Sequence, residues 1–600
     1  MFHHLLQPRY LFAIFLLAGL YTARVAALPE GPDVRFGNAR FDLQASGVLD
    51  ITNSTKAIID WQAFSTRRGD VVRFIQPGSS SSVLNRVTGQ DPSSLLGQIT
   101  SNGRVYLINP NGIVFGEGSV VDTRGFLAST LAISPRDFMR NDFLFVQQGQ
   151  GQIKNQGLIQ ARADGNVILL APQIENQGQI LTESGRILLA TGEKLTLSSL
   201  DDPEIRFEIQ AASHQVINLG ELRTGGAVEV FTGSLINRGS MEAQGVSRDQ
   251  QGRIVLSAQH DLTLSADSRL TVTSPGGGPL RLESLDGTIR VGGSITVGDG
   301  KAGDNGSVKV TGHAIGLEDA VIASENWQLS TPQASLLSGA TEAQARLLPL
   351  KLALSAEGEL TQGRPLQVGQ LTFQRQARVD LGDVDNRIGQ LSGTVDRIRL
   401  NNRSDGVTAV FRVEGLQAKS DIDIDNRGAM AVQGPVISRE AGVTLQTRSP
   451  LTLAGTLAAR DDLTVAAGDG TAFDDRLRFE PGTSLSSSRG NIDLVFQGEL
   501  EGTQPALKAP HGLIRFNGQT SEPSTDPVPP LDTSNPQTVR VVQEAGFTQN
   551  SQVVVLTQQA SSAPTGEDEN DPRSERTLRT LPAPENTSGI TRSRAIPVCR

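Results

Sequence analysis

Three acidic doublets, Asp201-Asp202, Asp461-Asp462 and Asp474-Asp475, are the residues of this sequence most suggestive of catalysis. Two carboxylates facing one sugar could act as general acid and base in polysaccharide cleavage. Neighbours on a strand point to opposite faces, however, so each doublet reads better as a turn. Asp421-Ile422-Asp423-Ile424-Asp425 opens like a calcium loop, but Asn426 stands where that loop needs Gly and Val432 where it needs Glu. It reads instead as a strand with Ile inside and Asp outside. Gly298-Asp299-Gly300 with Gly303-Asp304-Asn305-Gly306 is a single copy of a calcium pattern that requires an array. The six histidines, His3 and His4 among them, have no metal-ligand spacing. Neither a Ser/His/Asp grouping nor a phosphate-binding loop can be assembled, and the lone cysteine is Cys599. Arg68-Gly69-Asp70 has the form of an integrin-type tripeptide, yet it directly precedes a strand beginning at Val71 and reads as its turn. The expectation is no catalytic residue, no metal and no cofactor.

A shaped surface is a different kind of site. Val105, Leu107 and Ile108 look like a strand entering a turn, and Ile113, Val114 and Phe115 like one leaving it. Between them lies Asn109-Pro110-Asn111-Gly112. Proline sets φ at the first corner, and Asn or Gly accepts a left-handed second corner. From the residues alone this is a strand-turn-strand.

The rest of the chain consists of elements that could position such a turn. Ile153-Lys154-Asn155-Gln156-Gly157 recurs as Ile174-Glu175-Asn176-Gln177-Gly178, with weaker copies at Ile217-Asn218-Leu219-Gly220 and Leu235-Ile236-Asn237-Arg238-Gly239. Apolar runs alternate with them, at Val167 to Ala171, Ile187 to Ala190 and Ile254 to Ala258. A period near 20 with an Asn-x-Gly corner predicts a solenoid, each coil turning where Asn or Gly tolerates left-handed backbone. Equivalent Asn side chains would hydrogen-bond along the stack. Apolar-polar-apolar triplets such as Ile398-Arg399-Leu400 and Val443-Thr444-Leu445 carry the pattern onward. Some two dozen coils are expected by residue 518, with a break or irregular insertion in 333–375 around Leu347-Leu348-Pro349-Leu350. Ser134-Pro135 starts a short helix at the rim.

Composition agrees with an elongated β protein. The chain has 600 residues, 63 of them Gly, with 4% aromatic residues and a net charge of -10. That is far beyond one compact core. No basic stripe or aromatic platform for nucleic acid is apparent. Residues 1–27 read as a secretory signal peptide, an apolar run from Tyr10 to Leu20 followed by Val25-Ala26-Ala27. No later segment is apolar enough for a stable membrane span. From 519 to 600, Pro, Ser, Thr and acidic residues dominate, which predicts a mostly disordered tail in which only Val539 to Leu556 keeps strand character. That patch is expected to dock on the last coil.

Asn109-Pro110-Asn111-Gly112-Ile113 with Phe115-Gly116 resembles the signature of the two-partner-secretion domain that opens filamentous-haemagglutinin-like exoproteins. The flanks resemble that family in the same order: Ile59 to Phe64, Val72 to Pro77, Val83 to Val87, Asp91 to Gly97, and Gly125 to Leu131. The resemblance covers about residues 28–270 and implies a right-handed parallel β-helix, all-β, with a capped N-terminus. It implies as partner an outer-membrane β-barrel transporter with POTRA domains, and places recognition and folding nucleation on Asn109, Pro110, Asn111, Gly112 and Ile113. Residues 271–518 would continue the helix. The expected protein is a secreted or surface adhesin of a Gram-negative bacterium, passing through the periplasm and binding a host-cell or glycan ligand. The alternatives are a haem- or iron-acquisition exoprotein and a secreted polysaccharide-active enzyme. The family's second Asn-Pro-Asn-type motif is not found here, and in place of the terminal Cys pair of some relatives there is the lone Cys599.

Overall fold

The protein is described from a computed structural model. It describes residues 28–517 apart from 45–46, 199–204, 210–213, 246–251, 275–277, 299–305, 324–325, 332, 339–350, 357–358, 363–364, 376, 405–409 and 469–474. The signal-peptide segment, the C-terminal tail with Val539 to Leu556 and Cys599, and the segment Leu347-Leu348-Pro349-Leu350 lie outside the described residues.

The chain winds into a parallel β-solenoid of about 17 turns. A coil in its first half has three short strands, as in Ile153–Asn155, Leu158–Ala161 and Val167–Leu170. Each pairs in parallel with its counterpart in the next coil, Gln173–Asn176, Gln179–Thr182 and Ile187–Ala190. Three ladders result, and one face of each strand points inward. Ile153, Ile159, Val167, Ile174, Ile180 and Ile187 are fully buried on a common core. Parallel strands close an interior this way because every inward side chain stacks on its counterpart one coil on.

The expected asparagine stack is present. Asn155, Asn176, Asn218 and Asn237 are all fully buried. The amide of Asn155 donates to Asn176 at 2.8 Å, Asn176 to Asn218 at 2.8 Å and Asn218 to Asn237 at 2.7 Å. The reason for the adjoining glycine differs from the expectation. The backbone at Gly157, Gly178, Gly220 and Gly239 is not left-handed. A Cβ on Gly178 would instead sit 2.1 Å from the carbonyl oxygen of Gly157, and one on Gly220 2.0 Å from that of Gly178. Close stacking of coils, rather than φ, demands glycine there. Left-handed corners do occur later, where two strands fuse into one bent strand, as at Gly428 (φ +110) within Ile422–Val432.

The coils are fewer than the sequence period suggested because several carry excursions. Asn155 and Asn176 are 21 residues apart across one coil step, whereas Asn176 and Asn218 are 42 apart. The excursions form a second layer that the sequence reading did not anticipate: a four-stranded antiparallel sheet containing Leu131–Ala132, Phe143–Gln147, Lys194–Leu197 and Ile205–Ile209. With the helix Pro135–Arg140 it covers the outer face of the third ladder. Ile58, Leu84, Tyr106, Leu127, Ile168 and Leu188 therefore point away from the main core yet are buried in a second one with Phe138, Phe145 and Leu195.

At its N-terminal end the solenoid is capped. Asp33–Phe36 pairs antiparallel with Ala57–Trp61, and Ala39–Gln44 antiparallel with Val48–Asn53. These cross-pairings cover strand edges that would otherwise invite association. Within 333–375 the described strand Lys351–Ala356 joins Asn326–Thr331 to Gln367–Phe373 in parallel register, and residues 339–350, where the irregular insertion was expected, lie outside the described residues. Ile398, Leu400, Val443 and Leu445 are buried as the triplets predicted. Among the described residues no helix is long and apolar enough to cross a membrane.

Candidate functional site

The turn between Arg104–Ile108 and Ile113–Phe115 is held by its own side chains. The amide N–H of Gly112 donates to the carbonyl of Asn109 at 3.1 Å, so Pro110 and Asn111 are its two central residues. Gly112 (φ +123) carries the left-handed backbone, and Asn111 does not, contrary to the expected second corner. Asn109 is fully buried. Its side-chain nitrogen donates to the Asp91 carbonyl and the Ser93 hydroxyl, each at 3.0 Å. Its oxygen accepts from the Asn111 backbone at 3.0 Å. Asn109 thus ties the turn to the preceding coil. Asn111 is exposed, and its side-chain nitrogen donates to the Gly89 carbonyl at 2.9 Å. Ile113 is in the core between Ser93 and Ile153 of the flanking coils. The following coil crosses directly above, with Gly151 N–H donating to the Pro110 carbonyl at 3.2 Å.

Of the five nominated residues, then, Asn109, Gly112 and Ile113 are buried, Pro110 is half-buried and Asn111 is exposed. Only the last two can meet a partner directly. They line a groove of about 580 Å³ whose other walls include Thr88, Ser134 and Val146. The helix beyond the groove begins as its sequence predicted. Ser134 caps it, its hydroxyl accepting from the Asp137 N–H at 3.0 Å, and Pro135 is in the first turn. Asn141 ends it in left-handed backbone, and Lys56 donates to the Asn141 side chain at 2.9 Å. Phe138 meets Tyr106 edge to face at 5.8 Å.

The motif around Trp61 has an equally local explanation. Buried Asp60 accepts from Arg86 through two nitrogens at 2.8 Å and from Arg35 of the cap at 2.8 Å. Trp61 donates to Asn85 at 3.0 Å and meets Phe41 and Phe64 edge to face. This cluster fastens the cap to the first coils. Sequence reading noted the motif without assigning it that role, although an Asp-Trp pair in an apolar run is a signal of partnered buried polarity.

Among the described residues the catalytic and metal-binding candidates are not brought together. Asp461-Asp462 lies in a bend between strands, where Asp462 accepts from the Asn491 N–H at 2.7 Å. Asp475 is buried outside any strand, while Asp201-Asp202, Asp474 and residues 299–305 lie outside the described residues. Ile422 and Ile424 point into the core while Asp421 and Asp425 face Arg397 and Arg448. Partial burial raises the Asp423 carboxyl above its ordinary value, opposed by nearby Arg399. Arg68-Gly69-Asp70 lies on an exposed turn closed by the Asp70 N–H on the Arg67 carbonyl at 3.1 Å. The Asp70 carboxylate is itself occupied, accepting from the Arg67 N–H at 2.8 Å. Burial lowers the basicity of His214, and His260 is 2.7 Å from Asp286. No group of three or more His, Cys, Asp or Glu able to hold a metal occurs among the described residues.

Comparison with known proteins places this architecture. The TPS secretion domain family matches residues 43–272. A heme/hemopexin-binding protein of Haemophilus influenzae strain Rd is 28% identical over 256 residues, which is 40% of this chain and 28% of that protein. A second heme/hemopexin-binding protein of Haemophilus influenzae is 30% identical over 151 residues, 24% of this chain and 16% of that one. The chain thus spans under a third of the length of these relatives. The solved HMW1 secretion domain of Haemophilus influenzae is similar at 26% identity with a TM-score of 0.41, covering 69% of this chain and 100% of that one. Residues 43–272 thus match the TPS secretion domain, the domain by which two-partner-secretion exoproteins are recognised, and it is to these exoproteins that the chain is similar.

Proposed function

We propose that the Asn109–Gly112 turn and the groove beside it form the surface by which POTRA domains of the dedicated outer-membrane transporter recognise this chain. The observation that carries the reading is the division of labour in the motif. Its buried members set a rigid turn, and its outward members, Pro110 and Asn111, stand at the groove with half-exposed Val146. Once outside, the chain folds coil upon coil. Each strand of the parallel ladders pairs with the coils before and after it, so an emerging coil finds its template already in place. This ratchets export without an external energy source.

Asn111→Ala removes the tie to Gly89 and the exposed amide, both near the surface, at a stability cost of about 1 kcal/mol. Export is expected to fall while synthesis is unchanged, measured by quantifying the chain in cells and medium with the transporter co-expressed. Unchanged export would remove the exposed amide from recognition.

After export the chain acts as a surface-bound or released adhesin that binds without turnover. A solenoid with long outward faces, and with no catalytic set brought together among its described residues, supports binding over enzymology. Haem acquisition is the second reading, favoured by the names of the two relatives. Under the adhesin reading, adding haem to the purified chain gives no saturable shift of the Soret band. A stoichiometric shift lost with His313→Ala or His511→Ala would establish the second reading.

A further inference from the structure

We infer that the outward face of the third ladder within residues 279–374 is a binding site for a linear acidic polysaccharide, which rests on the reading of the chain as a binding exoprotein. The face carries a groove of about 450 Å³ lined by side chains from five successive strands. Its residues fall into columns fixed by strand register. Arg281 is beside Lys309, Lys309 beside Gln328, Gln328 beside Ala353 and Ala353 beside Thr372. In the adjacent column Asn326 is beside Lys351, and Lys351 beside Gln370. At about 4.8 Å per strand this is a track of about 19 Å along the solenoid.

Charge decides the ligand. In a chain of net charge -10, Arg281, Lys309 and Lys351 are exposed and form no ion pair with a described residue. One coil earlier on the same ladder, Arg253 is neutralised by Glu229 at 2.6 Å. Among the described residues the groove lining contains no carboxylate, Glu283 on the strand of Arg281 lying outside it. Cations without an ion-pair partner among the described residues, aligned along a track, attract a repeating anion. The amides of Gln370 and of Gln328, the latter also donating to Gln374 at 3.4 Å, can between them donate to and accept from sugar hydroxyls. Ala353, small among longer neighbours, leaves the depression in which a ring can sit. Nucleic acid fits less well, because the lining's aromatic residue, Trp327, is buried and offers no face for stacking.

The test is isothermal titration of the purified full chain with polygalacturonate, dextran sulfate, uncharged dextran and single-stranded DNA. The two acidic polysaccharides are expected to bind, more weakly as salt rises, and to keep their chain length, while dextran does not bind. The double variant Lys309→Glu with Lys351→Glu is expected to bind at least tenfold more weakly with an unchanged circular dichroism spectrum. Arg269→Glu, exposed on a different ladder, is expected to change affinity less than twofold. An equal loss with Arg269→Glu, equal binding of dextran, or tighter binding of DNA would overturn the proposal. Binding here is read on purified protein and export in cells, so failure of one leaves the other standing.

Discussion

Gly178→Ala is expected to destabilise the solenoid by about 3 kcal/mol, seen as a lower urea midpoint of the purified chain. The added Cβ would lie 2.1 Å from the Gly157 carbonyl oxygen and 2.9 Å from the Gly157 nitrogen. Both are backbone atoms of the coil below, so no side chain can swing aside. Relief requires the coils to part, and the same corner holds the Gly178 N–H on the Asn155 carbonyl at 3.0 Å and the buried Asn155–Asn176 bond. Separation would therefore weaken hydrogen bonds as well as packing. Because solenoid stability is a sum over neighbouring coils, the damage is felt across the interface it touches. Gly78→Ala is the control: its Cβ meets nothing within 4 Å, and a change within about 0.5 kcal/mol is expected. An unchanged midpoint for Gly178→Ala would show that coil spacing at this corner is not set by the contact.

Asn109→Ala is expected to reduce transporter-dependent export at least tenfold, far more than Asn111→Ala. The change leaves the buried Ser93 hydroxyl and the part-buried Asp91 carbonyl and Asn111 N–H without their partner. Buried groups left unsatisfied cost about 1–3 kcal/mol each. The turn then loses its tie to the strand Ser93–Leu95, and with it the position of Pro110 and Asn111 at the groove. Asn109→Asp keeps the acceptor for Asn111 and loses the two donated bonds, so it should fall between wild type and Asn109→Ala. Two measurements are needed, export in cells and urea unfolding of the small amount exported. Loss of stability with normal export would separate the fold of the turn from recognition by the transporter.

The two variants act on glycine and asparagine positions that look alike in sequence and do different work. In Asn-x-Gly corners the glycine is small because another backbone passes within van der Waals reach. In the Asn109–Gly112 turn the glycine is there for its left-handed φ. Letters in a sequence report a residue's freedom and size together, and only the neighbouring coil shows which is being used.

Much of this protein was nonetheless legible before any coordinates. The 21-residue recurrence of Ile-x-Asn-x-Gly specified stacked coils, because a repeat that cannot bury its apolar face alone must bury it on its neighbour. Alternating triplets such as Ile422-Asp423-Ile424 named inward and outward residues correctly, since period two is a property of the strand itself. The cap of the helix at Ser134-Pro135 was equally local. What tertiary structure alone decided was everything carried by contacts across coils. The second antiparallel layer is one case: the unbroken runs Val167–Leu170 and Ile187–Ala190 signal burial on both faces, but not what covers them. The burial of Asn109 beside the exposure of Asn111 is another, as is the alignment of Arg281, Lys309 and Lys351 on one face. The partners in these cases are 16 or more positions apart, and their proximity depends on how many residues each coil spends on its excursion. Local propensity fixes the period of a strand, whereas register between coils is set only when the whole stack closes on its core.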